Sequence, residues 1–178
     1  MLDTQRLIIR PFRKNDYQDI YEYMSIPETY RFERGKPMSL DEAKKFCAEF
    51  TGKTGPGFWA ATLRENHKLI GHVSFFPEGP EFLETWQIGF IFNPIFQNKG
   101  YCSEASLTVI RYALKKLSIH RIVAHCSPDN IPSWKVLEKC GMRREGYLRK
   151  NFTVRNDENE KPAWNDSYAY GILEEDII

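Results

Sequence analysis

The segment NPIFQNKGYCSEA, residues 93–105, constrains the fold of this chain more than any other stretch. Pro94 ends a strand-like run, because proline cannot donate to a strand ladder, and Gly100 stands directly before a strongly helical segment. A helix start exposes unpaired backbone N–H groups and carries partial positive charge, so anions bind there without a basic side chain. The segment therefore fits either a diphosphate cradle or an ordinary strand–turn–helix connection with a glycine kink.

Two common phosphate-binding loops do not fit this segment. A P-loop needs a second glycine at Walker spacing and a Gly-Lys-Ser/Thr triplet, and neither is present. The dinucleotide fingerprint needs two further glycines, which are also missing. Any phosphate bound here would be held by a loop of another class.

The first half of the chain reads as a strand, two helices and three more strands. Ser39 and Glu42 form a capping box before the second helix, and Asn15 or Asp16 can cap the first. The sequence TGKTGPG breaks the chain at 51–57. The predicted strands are 6–12, 58–63, 68–76 and 85–92, and the predicted helices are 15–24 and 39–50. The last three strands have connections short enough for an antiparallel meander.

The second half continues with a helix from the opening segment to about Leu117 and a strand at 120–127, which can lie parallel to the strand at 85–92. A short helix follows, with Asn130 as its cap and Gly141 as its stop. Strands around 147–154 and 164–173 flank the polar loop RNDENEK.

Size and charge limit the classes of function. A chain of 178 residues fits a single domain over 1–178, and its formal charge of +1 leaves no electrostatic footprint for nucleic acid or an anionic membrane. No apolar run approaches membrane-spanning length, and the first ten residues lack the apolar stretch of a signal peptide. We expect a cytoplasmic protein, monomeric or homodimeric, without nucleic-acid or membrane partners.

The cysteines and histidines do not predict a metal site. The four cysteines show no C-x-x-C spacing, which is typical of reduced thiols in a cytoplasmic protein. His125 and Cys126 would point to opposite faces of a strand, so they cannot share an ion.

Four motifs in the right order resemble the GNAT superfamily of N-acetyltransferases, in the branch that includes the RimJ and RimL ribosomal-protein acetyltransferases. QNKGYC resembles the phosphate signature Gln/Arg-x-x-Gly-x-Gly/Ala, with Cys102 at the last position. SPDNIPSWKVLEKCGMRREG resembles the Asn-x-x-Ser…Leu-x-x-x-Gly-Phe-x-x-Glu-Gly segment, with Met142 in place of Phe. TQRLIIRPFRKNDYQDIY resembles the branch's opening, and WNDSYAYGILEEDI resembles its close.

This resemblance implies an α+β, three-layer α/β/α fold with a mixed, mostly antiparallel sheet and a central parallel strand pair that splays apart. It implies acetyl-coenzyme A as donor and no metal. Backbone groups of Ile91 and Phe92 would bind the pantetheine arm, and Asn130 would contact it from the other side. The diphosphate would be held at Gln97, Asn98, Lys99, Gly100, Tyr101, Cys102 and Ser103.

The resemblance also implies direct transfer of acetyl from sulfur to an amine. Many superfamily members use a tyrosine as leaving-group acid at the position of Leu137, so that role is vacant here. The Rim-type branch has a serine where Ser133 stands, and its hydroxyl can donate to the departing thiolate, although a first-turn helix serine is also favourable for local reasons. Gln87 occupies a position that often holds a carboxylate base and cannot accept a proton. Glu84 or a water chain are the remaining candidates for the base.

Three functions stay open at this stage. The leading one is acetylation of a protein or peptide N-terminus. The second changes the acceptor to a small amine, such as a polyamine, an amino acid or an aminoglycoside. The third is a coenzyme A-binding module without catalysis, because Gln87, Leu137 and Cys102 depart from the superfamily pattern.

Overall fold

The computed structural model describes residues 1–53, 57–117, 119–156 and 158–177. These residues form one mixed sheet and four α-helices. The strands are β1 (Leu2–Asp3), β2 (Leu7–Pro11), β3 (Gly57–Leu63), β4 (Leu69–Pro77), β5 (Thr85–Phe92), β6 (Arg121–Cys126), β7 (Arg143–Asn156) and β8 (Pro162–Leu173). The helices are α1 (Tyr17–Met24), α2 (Leu40–Phe50), α3 (Tyr101–Lys116) and α4 (Ile131–Lys139). None of the described helices has the length and apolarity needed to cross a membrane.

Local sequence signals place α2 correctly but misassign the cap of α1. At α2, Ser39 Oγ accepts from the Glu42 N–H at 3.3 Å while the Glu42 carboxylate accepts from the Ser39 N–H at 2.7 Å, as the capping box predicts. At α1, Asp16 makes no side-chain cap, because both of its oxygens bind the Arg10 guanidinium at 2.7 and 2.8 Å. Asn15 lies in a single 3₁₀ turn before α1. A buried bidentate ion pair thus takes the place of the expected cap.

The sheet order is β1-β2-β3-β4-β5-β6-β8-β7. Strands β3, β4 and β5 form the predicted antiparallel meander, and β6 lies parallel to β5 as predicted. The predicted break at 51–57 includes 54–56, which lie outside the described residues. The tail strands are longer than predicted, and β8 lies between β6 and β7, pairing antiparallel with both.

Strands β5 and β6 diverge after a short ladder. Their described pairing covers only Thr85–Gln87 against Arg121–Val123, and the remaining residues of β5 pair with β4 alone. This confirms the splayed parallel pair. It leaves a gap in the sheet between the carboxyl ends of two neighbouring strands.

The helices cover both faces of the sheet, which confirms the three layers. One core contains Ile110 and Leu114 of α3, and the other contains Tyr23 of α1 and Cys47 of α2. A buried polar pair lies in the second core, where the Tyr23 hydroxyl contacts His72 Nδ1 at 2.7 Å. Burial lowers the pKa of His72 to about 4, so this imidazole stays neutral.

Candidate active site

The gap between β5 and β6 opens into a cavity of about 550 Å³. Its walls come from the end of β5, the start of α3, the start of α4 and the connection between α1 and α2. Phe92, Gly100, Asn130 and Ser133 all line it, and the whole lining runs from Glu28 to Lys139, so the fold brings together residues up to 111 positions apart. The cavity lies where open α/β-type sheets hold ligands, beyond the carboxyl ends of diverging strands.

The loop before α3 has the backbone geometry of an anion cradle. Asn98 and Gly100 both have left-handed backbones, with φ of 59° and 80°. The first backbone bond of α3 runs from the Glu104 N–H to the Gly100 C=O at 3.0 Å. The amides of Tyr101, Cys102 and Ser103 therefore precede the helical hydrogen bonds and are available to an anion.

At the last position of the phosphate signature, Cys102 replaces glycine or alanine with another uncharged side chain. The residue is half-buried and lines the cavity. Burial raises the pKa of its thiol, so the side chain stays neutral. A neutral, small side chain leaves the electrostatics of the helix start intact.

The Gln97 side chain positions the loop before α3 relative to β5. Its Nε2 donates to the Phe92 C=O at 3.0 Å, which joins the loop to the end of β5. Gln97 also lines the cavity. The glutamine of the signature thus fixes the position of the loop.

The hydrogen-bond register of β5 corrects the prediction for Ile91. The Asn93 N–H donates to the Ile70 C=O at 2.9 Å, and Ile91 lies opposite His72. Because backbone groups of an antiparallel strand alternate between its two neighbours, the groups of Ile91 belong to the β4 ladder. Those of Phe90 and Phe92 point into the gap. Glu84 lies an even number of residues before Phe90 and Phe92. Its backbone C=O accepts from the Arg121 N–H of β6, as this alternation requires.

Asn130 caps α4 and keeps its amide nitrogen out of the cap. Its Oδ1 accepts from the Ser133 N–H at 3.3 Å, which confirms the cap. The side-chain N–H₂ group is then free to donate to a ligand in the cavity. Its contact with the coenzyme stays a prediction.

Ser133 lines the cavity at the end of β6, where its hydroxyl contacts the Cys126 sulfur. Burial raises the pKa of the Cys126 thiol to about 11, against a hydrogen bond from Ser133 that lowers it. In that bond the Ser133 hydroxyl donates to the sulfur. Because the thiol stays protonated, it can donate to Ser133 Oγ instead when the hydroxyl proton goes to another acceptor. Leu137, where many superfamily members have tyrosine, is buried in the core.

The structure does not bring Glu84 to this cavity. Glu84 is exposed just before β5, and its backbone C=O accepts from the amides of His120 and Arg121. It therefore lies at the end where β5 and β6 are still paired. Ile91 is seven residues further along the strand, a distance of roughly 23 Å at the usual rise of a strand. A general base must come within hydrogen-bond reach of the amine, directly or through one water, so this position does not suit Glu84.

Glu33 is a candidate base that the sequence did not reveal. It lies in the connection between α1 and α2, which crosses the cavity and has no periodic pattern. Glu33 is exposed, yet the surrounding protein atoms of the concave site desolvate its carboxylate and raise its pKa to about 7. Both facts fit a side chain inside an open cavity, where protein atoms surround a group that water still reaches. A carboxylate with this pKa is matched to proton transfer near neutral pH.

Positive charge in the cavity lining comes from α4 and from Arg31 of the connection between α1 and α2, rather than from the loop before α3. Lys135 and Lys139 line the cavity. Lys99, expected from the resemblance to take part in the cradle, is exposed and has its Nζ over the Phe96 ring at 5.5 Å. Among the described residues, no cluster of three or more His, Cys, Asp or Glu could hold a metal ion.

Arg6 holds the loop before α3 in position. The sequence patterns did not predict this role. Arg6 Nη1 donates to the Lys99 C=O at 2.9 Å, and its Nε donates to the Glu104 carboxylate at 2.7 Å. Its guanidinium also lies over the Tyr101 ring at 4.5 Å. One side chain from the start of the chain thus fixes both the loop and the first turn of α3.

We expect Arg6→Gln to weaken acetyl-coenzyme A binding by about tenfold without unfolding the protein. The variant removes charge-assisted hydrogen bonds that position the amides but contact no ligand themselves, and such bonds are worth roughly 1.5–3 kcal/mol when intact. Titration calorimetry with acetyl-coenzyme A measures the effect. Arg64→Gln, which removes another ion pair near the N-terminus (with Asp3, at 2.8 Å), is the control. Equal affinities of wild type and Arg6→Gln would contradict this role.

A model of the acetyltransferase (GNAT) domain matches residues 6–143, and the chain therefore belongs to the GNAT family of N-acetyltransferases. Members of this family use acetyl-coenzyme A. The chain is 39% identical over 175 residues to the uncharacterized N-acetyltransferase YnaD of Bacillus subtilis, covering 98% of each chain. A crystal structure of a GNAT-family acetyltransferase from Bacillus anthracis superimposes with a TM-score of 0.87 and 36% identity, covering 98% of each chain.

The resemblance to the RimJ/RimL branch is also confirmed. The chain is 25% identical over 158 residues to the [ribosomal protein uS5]-alanine N-acetyltransferase of Escherichia coli, covering 83% of this chain and 80% of that protein. This places the chain in the RimJ/RimL-like group of the family.

Proposed function

We propose that residues 1–178 form one domain that transfers acetyl from acetyl-coenzyme A to the primary amine of a protein or peptide N-terminus. The observation that carries this proposal is the arrangement of two cavities around the gap in the sheet. The first, of about 550 Å³, contains the cradle, and a second, of about 410 Å³, shares Arg31, Phe32 and Asp129 with it. Donor and acceptor can therefore bind in two adjoining cavities.

In this proposal the donor is bound mainly by backbone groups. The diphosphate lies against the amides of Tyr101, Cys102 and Ser103, with Lys135 and Lys139 nearby. The pantetheine arm fills the gap along Phe90 and Phe92, whose backbone groups point away from β4, although the Phe92 C=O also accepts from Gln97 Nε2. Asn130 donates from the opposite wall. The thioester then lies near Ser133, at the end of β6.

The reaction needs a base for the amine and an acid for the departing thiolate. The amine nitrogen attacks the thioester carbonyl carbon and loses a proton to Glu33 as the new C–N bond forms. The C–S bond then breaks, and Ser133 donates its hydroxyl proton to the departing thiolate. Cys126, whose pKa of about 11 keeps it protonated, can return a proton to Ser133 Oγ. No covalent enzyme intermediate is required.

The alternative functions differ in the acceptor and in whether acetyl is transferred at all. A small amine such as a polyamine, an amino acid or an aminoglycoside would use the same donor site. A binding module would hold coenzyme A and transfer nothing. A panel of N-terminal peptides and small amines, followed by release of free thiol from acetyl-coenzyme A, separates the three. Turnover of peptides above small amines supports the proposal, and binding without thiol release on any acceptor overturns it.

We expect Ser133→Ala to lower kcat by about a hundredfold while leaving the Kd for acetyl-coenzyme A within about twofold of wild type. General acid catalysis acts mainly in the transition state and is typically worth about a hundredfold or more. Steady-state kinetics give kcat, and calorimetry gives the Kd. Because the cap of α4 uses the backbone N–H of Ser133 and not its hydroxyl, the helix should stay intact. Wild-type turnover in this variant would contradict a catalytic role for the Ser133 hydroxyl.

A further inference from the structure

The second cavity has the chemistry of an anion receptor. Its ionisable lining side chains among the described residues are Arg31, Arg155 and Asp129, which sum to a charge of +1. Ser127 and Asn165 add hydrogen-bonding groups, and Phe32 forms part of the wall. Two guanidinium groups in one concave site suit a carboxylate or phosphate, because each can donate two parallel hydrogen bonds to such a group.

The two arginines differ in how far they are already neutralised. Arg31 pairs with Glu28 at 3.3 Å, but both side chains are mostly exposed, so the pair is weak. Within the described part of the chain, no carboxylate lies within ion-pair distance of the Arg155 guanidinium, and Arg155 is exposed to the cavity. Arg155 is therefore the more available group for an anionic ligand.

The cleft between these arginines is held in shape before any ligand arrives. Arg34 Nε donates to the Thr153 C=O at 2.6 Å, which fastens the connection between α1 and α2 onto β7. Arg31 belongs to that connection, and Arg155 lies two residues beyond Thr153 on β7. Fixing both walls in advance lowers the entropy lost when a ligand binds.

The positions of the charged side chains favour one orientation of an acceptor across the two cavities. Asp129 and Arg31 line both cavities, whereas Arg155 lines only the second. An ammonium group would lie beside Asp129, next to the gap where the thioester is expected. A negative group on the same molecule would lie further out, toward Arg155. Polyamines do not fit this order, since their outer amines would face a guanidinium.

From this arrangement we infer that the acceptor carries a carboxylate or phosphate close to its reacting amine, read by Arg155 and Arg31. This inference rests on the proposed function for the reaction, but the anion subsite can be tested by binding alone. The negative group can come from a small molecule, such as a free α-amino acid, or from an acidic residue next to a peptide N-terminus. Both sources present the same chemistry to the two arginines.

Two matched pairs of acceptors test the inference and distinguish the sources. The first pair is a tetrapeptide with aspartate at its second position and the same tetrapeptide with asparagine. The second pair is free alanine and alaninamide. Spermidine serves as a cationic acceptor. For each, kcat/KM follows from thiol release, and Kd follows from calorimetry on the free protein and on protein with saturating coenzyme A.

We expect the anionic member of at least one pair to be preferred by roughly tenfold to a hundredfold, the range typical of a hydrogen bond to a charged group. Preference in the tetrapeptide pair identifies a peptide source, and preference in the alanine pair identifies a small molecule. In Arg155→Gln, and to a smaller extent in Arg31→Gln, the ratio within the preferred pair should fall toward one. Arg149→Gln removes an exposed arginine of β7 that does not line the cavity, so it should keep the wild-type ratio.

Three outcomes would overturn the inference: no preference within either pair, a preference that survives both variants, or spermidine as the best acceptor. Failure of the proposed function looks different. Protein that binds no acetyl-coenzyme A, or acetylates no amine, contradicts the reaction. The calorimetric ratios within the two pairs then still decide whether the anion subsite exists.

Discussion

Gly100→Asp abolishes measurable binding of acetyl-coenzyme A in a protein that remains folded; this is the largest effect that we expect from a single substitution. The aspartate would put a negative charge where we propose that the diphosphate lies. At about 4 Å and an effective dielectric constant of about 20, two unit charges repel by ~4 kcal/mol, or about a thousandfold in Kd. The added Cβ would also meet Arg6 Nη2 at 3.3 Å. Calorimetry with acetyl-coenzyme A measures the loss.

A second glycine provides the control for backbone strain. Gly79, in the connection between β4 and β5, has φ of +72° against +80° for Gly100, and an added Cβ there meets nothing within 4 Å. Gly79→Asp therefore imposes the same left-handed backbone on an aspartate, and adds the same charge, away from the cradle. We expect it to bind acetyl-coenzyme A like wild type. If Gly100→Asp binds equally well while folded, the phosphate site lies elsewhere.

Glu33→Gln should lower kcat by about a hundredfold to a thousandfold. It should also remove the acidic limb of the pH profile, in which kcat falls as the pH drops. Desolvation by the walls of the cavity raises the pKa of Glu33 to about 7, and a base acts only when it is deprotonated. The rate of wild type should therefore rise with pH through about 7 and level off above it. Glutamine cannot accept a proton, so that limb disappears and the rate loses the contribution of general base catalysis. The pH profile of kcat for both proteins is the measurement.

The identity of the acceptor separates Glu33 from a water route. If water or the free amine supplies the deprotonation, the limb follows the pKa of the acceptor, near 8 for an α-amino group and above 10 for a lysine side chain. A limb that moves with the acceptor and survives in Glu33→Gln would defeat Glu33 as the base. Glu28→Gln changes another carboxylate of the same cavity and should keep the limb near pH 7. Glu84→Gln, outside the cavity, should keep it as well.

Most of the fold could be predicted because its signals are local. The Ser39–Glu42 capping box, the Asn130 cap and the alternating strands each depend on residues a few positions apart, and all are confirmed. The parallel placement of β5 and β6 followed from the helix between them. The cap at Asp16 failed because its carboxylate is used by Arg10, a partner that no capping pattern includes.

Part of the site could be predicted in the same way. Gln97, Gly100, Asn130 and Ser133 lie in short motifs beside helix starts, and the structure brings all four to one cavity. Ile91 was misassigned because a strand pattern shows which face is apolar, whereas the direction of backbone groups depends on which neighbour each residue pairs with. That information exists only once β4 and β5 are in register.

By itself, the sequence determined the family, the order of elements and the glycine and helix start at α3, because each is encoded over short stretches of chain. Only the tertiary structure decided which carboxylates line the first cavity and which arginines line the second. Glu33 and Arg31 lie in an aperiodic connection whose position depends on the bond from Arg34 to Thr153, 119 residues away. Arg6 reaches the cradle across 93 residues. Contacts at such separations leave no periodic signature, because they form only when packing of the sheet and helices brings distant segments together.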